Sequence, residues 1–122
     1  MDDEEQVRNT MGRVLMHFGY SVSFAREGRE AIDLYSKALN SKDPFDAVIV
    51  DMIIPGGLGG KETAVELLKI SPGARIVVTT GYSDDPVISD YKKYGFAAAI
   101  PKPCSVDVIS SVMHGVVKGR RD

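Results

Sequence analysis

Asp51 closes a continuous apolar run, Ala47-Val48-Ile49-Val50, and leads into the loop Ile53-Ile54-Pro55-Gly56-Gly57. A run of this kind reads as a strand buried on both faces, as in the middle of a parallel sheet. In open α/β sheets ligands sit outside the carboxyl ends of the strands, so Asp51 stands where such a sheet does its chemistry. Thr80 ends a second apolar run and Lys102 follows a third, while the acidic run Asp2-Asp3-Glu4-Glu5 precedes the first helical pattern. Each has an ordinary explanation: a cap for Asp51, a turn for Thr80, a solvated lysine, and acids that favour a helix dipole. Together they suit phosphoryl transfer to a carboxylate. Clustered Asp oxygens bind a hard divalent cation such as Mg²⁺, which offsets repulsion toward an incoming phosphoryl group. A hydroxyl and an ammonium hold the remaining oxygens, and Asp51 is the nucleophile.

The elements that must position these groups alternate along the chain. Val7, Met11, Val14, Leu15 and Phe18 recur at helical spacing before Gly19. Ser21-Val22-Ser23-Phe24-Ala25 alternates polar and apolar and is expected to be a half-buried edge strand. Ala31, Ile32, Tyr35, Ala38 and Leu39 mark a second helix, and Ala64, Val65, Leu67 and Leu68 a third, broken by Pro72-Gly73. Arg75 to Thr80 reads as a buried strand. Pro86 opens a fourth helix carrying Val87, Ile88 and Tyr91. Phe96 to Ile100 is a short strand of small residues, and Val108, Ile109, Val112, Met113 and Val116 face the core from a last helix. Strands separated by helices imply right-handed crossovers and an α/β fold, a doubly wound parallel sheet with helices on both faces. The two strongly apolar strands belong inside and the other two at the edges.

The chain has 122 residues, enough for one domain with one core. With 43% hydrophobic and 26% charged residues it has the composition of a soluble globular protein, and a net charge of -2 gives no electrostatic case for nucleic acid or anionic membrane. The single cysteine, Cys104, makes no internal disulfide, which fits a reducing, cytoplasmic setting. No apolar stretch approaches the roughly 20 residues of a membrane span, and no signal peptide is expected. Residues 1–118 form the expected domain, with 119–122 as a tail or linker. His17 and His114 lie in amphipathic helical patterns without an acidic partner and read as ordinary surface or boundary histidines. Cys104 reads as a small, partly buried thiol.

Over essentially its whole length the chain resembles the receiver domain of two-component response regulators. The resemblance is carried by Asp2-Asp3-Glu4, Val7-Arg8, Gly19-Tyr20-Ser21-Val22, Gly28-Arg29-Glu30-Ala31, Asp51 with Pro55, Thr80-Gly81, Gly95-Phe96 and Lys102-Pro103. It implies a flavodoxin-like (βα)5 fold with strand order 2-1-3-4-5 and a Mg²⁺ cofactor. Asp51 is then the phosphoacceptor, Thr80 the switch hydroxyl and Lys102 the phosphate-binding lysine. Asp2 and Asp3 are the acidic pair at the metal, Asp3 the preferred direct ligand, with Asp51 and the backbone carbonyl of Ile53 completing the coordination. A cis Lys102-Pro103 bond is implied as well. The implied partner is a sensor histidine kinase or a histidine phosphotransfer domain. The segments Pro55 to Glu62 and Gly81 to Pro86 look like receivers attached to hybrid sensor kinases.

Four departures bear on function. The family begins with an apolar strand before the acidic pair, and here only Met1 precedes Asp2. The expectation is a sequence that starts late; the sharper alternative is that another chain or a swapped segment fills the gap, with oligomerisation or strand exchange. Ala99 stands where the family usually has a switch aromatic. Ile53 cannot orient a hydrolytic water, and Tyr82 is expected to screen the site, so slow self-dephosphorylation is expected. Gly59 replaces an acid often found in the glycine-rich loop, where mobility is expected. A nucleotide-binding P-loop fails on register at Gly56 to Lys61, because Pro55 sits at the first glycine and Glu62 replaces the Ser/Thr. A haloacid-dehalogenase-type phosphatase wants a second acid where Ile53 stands. The alternative to a phosphoacceptor is a phosphorylation-independent interaction module of receiver fold.

Overall fold

In the computed structural model, which describes residues 1–81, 85–103 and 105–119, three parallel strands form one sheet. They are β1 (Val48–Asp51), β2 (Ile76–Thr80) and β3 (Ala98–Pro101), in the order β1-β2-β3. The helices are α1 (Glu5–His17), α2 (Gly28–Leu39), α3 (Gly60–Ile70), α4 (Pro86–Ser89) and α5 (Val106–Gly119), with a 3-10 turn at Tyr91–Tyr94. Period-two alternation along β2 explains the two layers. Ile76 and Val78 point into a core shared with Tyr35, Leu67, Val87 and Phe96. Val77 points the other way, into a core with Leu15, Ile100, Ile109, Met113 and Val116. Helices α2, α3 and α4 therefore cover one face, and α1 and α5 the other. All five residues of β2 are buried, which is why it reads as a continuous apolar run.

Three expectations are corrected. Residues 21–25 are not a strand. Their pattern alternates correctly, but strand pairing needs a neighbour along its length, and Asp2 provides a single rung, from its amide to the Ala25 carbonyl at 3.0 Å. β1 is not buried on both faces throughout: Val48 and Ile49 are half-buried, because they line a cleft on the side away from β2. The fourth helix is broken. Asp85 caps it by accepting from the Val87 amide, but it ends after Ser89, and the 3-10 turn carries the chain to Gly95 at φ +89°. A bond from the Phe96 amide to the Tyr91 carbonyl then turns Phe96 into the core.

The fit between α2 and α3 depends on Gly28. A Cβ there would lie 2.1 Å from Thr63 Oγ1 and 2.5 Å from Leu58 Cβ, while the Gly28 amide donates to the Leu58 carbonyl at 2.9 Å. Gly28→Ala is expected to lower the unfolding free energy by about 1–3 kcal/mol, the range for overpacking a fitted site. Urea denaturation checks this, and a change below about 0.5 kcal/mol would show that the helix pair gives way freely.

Candidate functional site

The carboxyl ends of the three strands bring Asp51, Thr80 and Lys102 to one rim. Asp51 is the last residue of β1 and Thr80 the last of β2, and both are buried. Lys102 directly follows β3; its amide donates to the Thr80 carbonyl at 2.7 Å, and the Lys102-Pro103 bond is cis. Asp2 reaches the rim from the other side. The Met1 ammonium donates to the Ile49 carbonyl at 2.7 Å, and the Asp51 amide donates to the Met1 carbonyl at 3.0 Å. Those two bonds lay Met1 alongside β1 and leave Asp2 next to Asp51. Arg8 Nη1 holds the Asp2 carbonyl at 2.8 Å, and Asp2 Oδ1 accepts from the Glu4 amide at 3.0 Å, closing a turn into α1.

Lys102 Nζ sits between two carboxylates, 3.0 Å from Asp2 Oδ2 and 3.1 Å from Asp51 Oδ2. Burial pushes the Asp51 pKa above its ordinary value; Lys102 opposes that shift, the neighbouring Asp2 adds to it, and a bond from the Ile53 amide opposes it. For Lys102 burial acts to lower the pKa, but the bonds to Asp2 and Asp51 outweigh it and hold it above the usual lysine value. The Met1 ammonium is lowered to about 6, chiefly by burial. Buried carboxylates with a shared cation form a site in which charge is concentrated and poorly solvated.

Asp2, Asp3 and Glu4 place carboxylate oxygens within 4.8 Å of one another. Asp2 is buried while Asp3 and Glu4 are exposed. All the donors are hard oxygens, which is the chemistry a small divalent cation selects. Sequence reasoning named Asp2 and Asp3 but passed over Glu4 as part of the group; the signal was its place in the same acidic run. Asp51 is not a member of that carboxylate group; its Oδ2 accepts from Lys102 Nζ at 3.1 Å. The Ile53 side chain is 52% exposed beside Asp51, so an apolar surface flanks the nucleophile position. Tyr82 and Cys104 lie outside the described residues.

The glycine-rich loop differs from expectation. Three of its glycines are closely packed rather than slack. A Cβ on Gly59 would lie 2.5 Å from the Met52 carbonyl oxygen, one on Gly60 3.1 Å from the Asp51 carbonyl oxygen, and one on Gly57 3.0 Å from Glu27 Cβ. Gly56 has open space and φ +78°. An acid at Gly59 is thus excluded by backbone, which cannot move without shifting the strand end that carries Asp51. Gly59→Ala is expected to cost about 1–3 kcal/mol of stability and to slow any reaction at Asp51, read together by urea unfolding and phosphorylation rate.

A parallel sheet with helices on both faces, an aspartate at the first strand end and a lysine between two carboxylates define a flavodoxin-like phosphoryl-acceptor class of domain. The family model of the response regulator receiver domain matches residues 1–114, and the chain belongs to that family. It is 34% identical over 106 residues to a response regulator receiver protein of Anaeromyxobacter, covering 87% of this chain and 42% of that one. It is 28% identical over 109 residues to sporulation initiation phosphotransferase F of Bacillus subtilis, covering 89% and 83%. A crystal structure of a response regulator receiver domain protein from Clostridium thermocellum superimposes with TM-score 0.87 at 25% identity, covering 98% and 92%. The chain thus spans less than half of the first relative and most of the second. It is a receiver domain of two-component signalling, with the phosphoacceptor function of that family. Among the described residues no helix is long and apolar enough to cross a membrane.

Proposed function

We propose that Asp51 accepts a phosphoryl group from a phosphohistidine, with Mg²⁺ held by Asp2, Asp3, Asp51 and the Ile53 carbonyl, and with Glu4 alongside. The observation that carries this reading is the bridge from Lys102 to Asp2 and Asp51 at 3.0 and 3.1 Å, which pairs the nucleophile with the acidic group across the strand ends. An oxygen of Asp51 attacks phosphorus; the new P–O bond forms as the P–N bond breaks, and the imidazole nitrogen leaves with the electron pair. The metal supplies charge neutralisation at the phosphoryl oxygens. Lys102 releases Asp51 and follows the added charge onto a phosphoryl oxygen, and the Thr80 hydroxyl holds another. The domain in this reading promotes its own phosphorylation and dephosphorylation and spans residues 1–118, with 119–122 as a linker.

The partner is a sensor histidine kinase or a histidine phosphotransfer domain in the cytoplasm, with neither nucleic acid nor membrane as a ligand of this domain. The loop resemblance favours a parent protein of hybrid-kinase type. Ala99 is half-buried against the α2–α4 core and offers no ring to swing, so the output relies on Thr80 and the adjoining loops, or on relay of the phosphoryl group. Beryllofluoride with Mg²⁺ tests the reading: shifts in the amide spectrum of the wild type centred on Asp51, Thr80 and Lys102 are expected. No shift under conditions where Mg²⁺ binds would favour the phosphorylation-independent interaction module.

Ile53 offers no polar group to orient a hydrolytic water. Ile53→Asn is therefore expected to speed loss of the phosphoryl group about tenfold, a modest share of what a positioned polar group contributes. The lifetime of phospho-Asp51 by intact mass checks it; an unchanged lifetime would place the control elsewhere.

A further inference from the structure

Helix α3 divides the surface on its side of the sheet into an acidic half and a basic half. At roughly 3.6 residues per turn, Val65 stands at the middle of its outer face, with Glu62 and Glu66 turned toward α2 and Lys61 and Leu68 turned the other way. On the α2 side lies a groove of about 600 Å³. Its floor is Ile32, Leu58 and Val65, and its rim carries three carboxylates, Asp33, Glu62 and Glu66, against one guanidinium, Arg29. On the other side the turn Tyr91–Tyr94 runs along α3. Lys61 Nζ lies 4.6 Å from the centre of the Tyr94 ring, and a Cβ on Gly95 would lie 2.6 Å from Leu68 Cδ1. That side exposes Lys61, Lys92 and Lys93 against Asp90.

Neither half satisfies its own charges. Among the described residues Asp33, Glu62, Lys92 and Lys93 take part in no ion pair, and Glu66 meets only Lys69, at 3.3 Å on the surface. At the boundary between the halves Val65 leaves 51% of its surface exposed, whereas Ala64 and Leu67 on the inner side of the same helix are fully buried. An apolar centre flanked by unpaired charge of opposite sign is the pattern of a surface that meets its own complement.

We propose that α3 and its two flanks form a docking surface for a second copy of this chain. A two-fold axis running along α3 lays the acidic groove of each copy on the basic turn of the other. An axis across α3 would set groove on groove and turn on turn, with like charges opposed. The axis along α3 keeps the two helices parallel and at one height. Lys61 of one copy then faces Glu62 of the other, and the two Val65 side chains meet at the centre. Both strand-end rims lie at the same end of the dimer. The surface does not rest on the phosphoacceptor reading, since none of its residues belongs to that site. A patch one helix long and three elements wide falls at the small end of specific interfaces, so the dimer is weak and held by charge, with a Kd on the order of 100 µM.

Sedimentation equilibrium of residues 1–122, up to about 1 mM protein, tests the dimer. Raising salt from about 0.05 M to about 0.5 M is expected to weaken it at least about fivefold, because screening acts on exposed charge. Two charge-reversed chains test the pairing: one carries Glu62→Lys with Glu66→Lys, the other Lys92→Glu with Lys93→Glu. Each alone is expected to be monomeric, since groove and turn then share a sign. An equimolar mixture is expected to dimerise within about threefold of the wild-type affinity, because both contacts regain opposite signs. A wild type that stays monomeric at about 1 mM overturns the proposal. So does a mixture of folded variants that stays monomeric, or a reversed chain that dimerises as the wild type does. Val65→Cys in a Cys104→Ser background tests the axis with the natural charges in place, whether or not the reversed chains fold. Mild oxidation is expected to link the two copies through residue 65. A dimer that persists without that link overturns the two-fold along α3.

Discussion

Asp51→Asn is expected to abolish phosphoryl acceptance, with the rate from acetyl phosphate falling at least about a thousandfold, as when a covalent nucleophile is removed. Intact mass with Mg²⁺ present reads the result directly, since the wild type gains one phosphoryl group and the variant gains none. The same variant separates chemistry from folding. Asp51 is buried, and desolvation is the largest influence on its carboxyl, raising its pKa against the pull of Lys102. An acid whose pKa is raised on folding destabilises the fold when it is ionised. Removing the charge is therefore expected to leave the unfolding free energy at neutral pH no lower than that of the wild type. A variant that still gains the phosphoryl group would move the acceptor to another side chain. A variant that loses both the reaction and the fold would show that Asp51 holds the strand end together rather than serving it chemically.

Lys102→Met carries the largest expected change in stability. The lysine is the shared partner of Asp2 and Asp51, at 3.0 and 3.1 Å, and its side chain is 24% exposed. Breaking a buried pair from one side costs roughly 3–5 kcal/mol; with this degree of exposure about 2–4 kcal/mol is expected here. The pH dependence identifies the cause. In the variant, Asp51 and Asp2 face each other without a cation, so the Asp51 pKa rises further. Stability of the variant should then increase as pH falls from neutrality through that raised value, toward the ordinary carboxylate value of 3.8. The wild type carries an opposite signature at alkaline pH. Its Lys102 pKa is raised, so the stabilisation is fully present below 10.5 and is lost as pH rises through the folded value. Urea denaturation across the pH range checks both arms. A variant whose loss does not shrink with acidification would trace the cost to packing of the lysine stem instead. Phosphorylation should also fail in this variant, because no other cation is bonded to Asp51 among the described contacts.

Much of the site was legible before the fold was known. Asp51, Thr80 and Lys102 are polar residues at the ends of apolar runs, and strand ends are local features of sequence: a run of Val and Ile closed by a polar residue marks its own boundary. The helices were legible for the same reason, since a periodic apolar face is written into consecutive residues. Other features depend on partners distant in the chain. Residues 21–25 alternate as a strand should, yet pairing is a property of two segments, and Asp2 supplies a rung to Ala25 alone. The break between α4 and the turn at Tyr91–Tyr94 reflects the need to bury Phe96 beneath the sheet, which no local period expresses. The glycines after Pro55 suggested slack, while Gly59 and Gly60 are required by the nearby Met52 and Asp51 carbonyl oxygens.

By itself the sequence determined the alternation of strands and helices, the residues at the strand ends and the acidic run before α1, because spacing and composition act within a few residues. Only the tertiary structure decided that Lys102 joins Asp2 to Asp51 across separations of 100 and 51 residues, that Glu4 stands with Asp2 and Asp3, and that an apolar cleft borders β1. Those are outcomes of packing, where the chain brings distant groups within bonding distance and where burial sets the strength of the charges they carry.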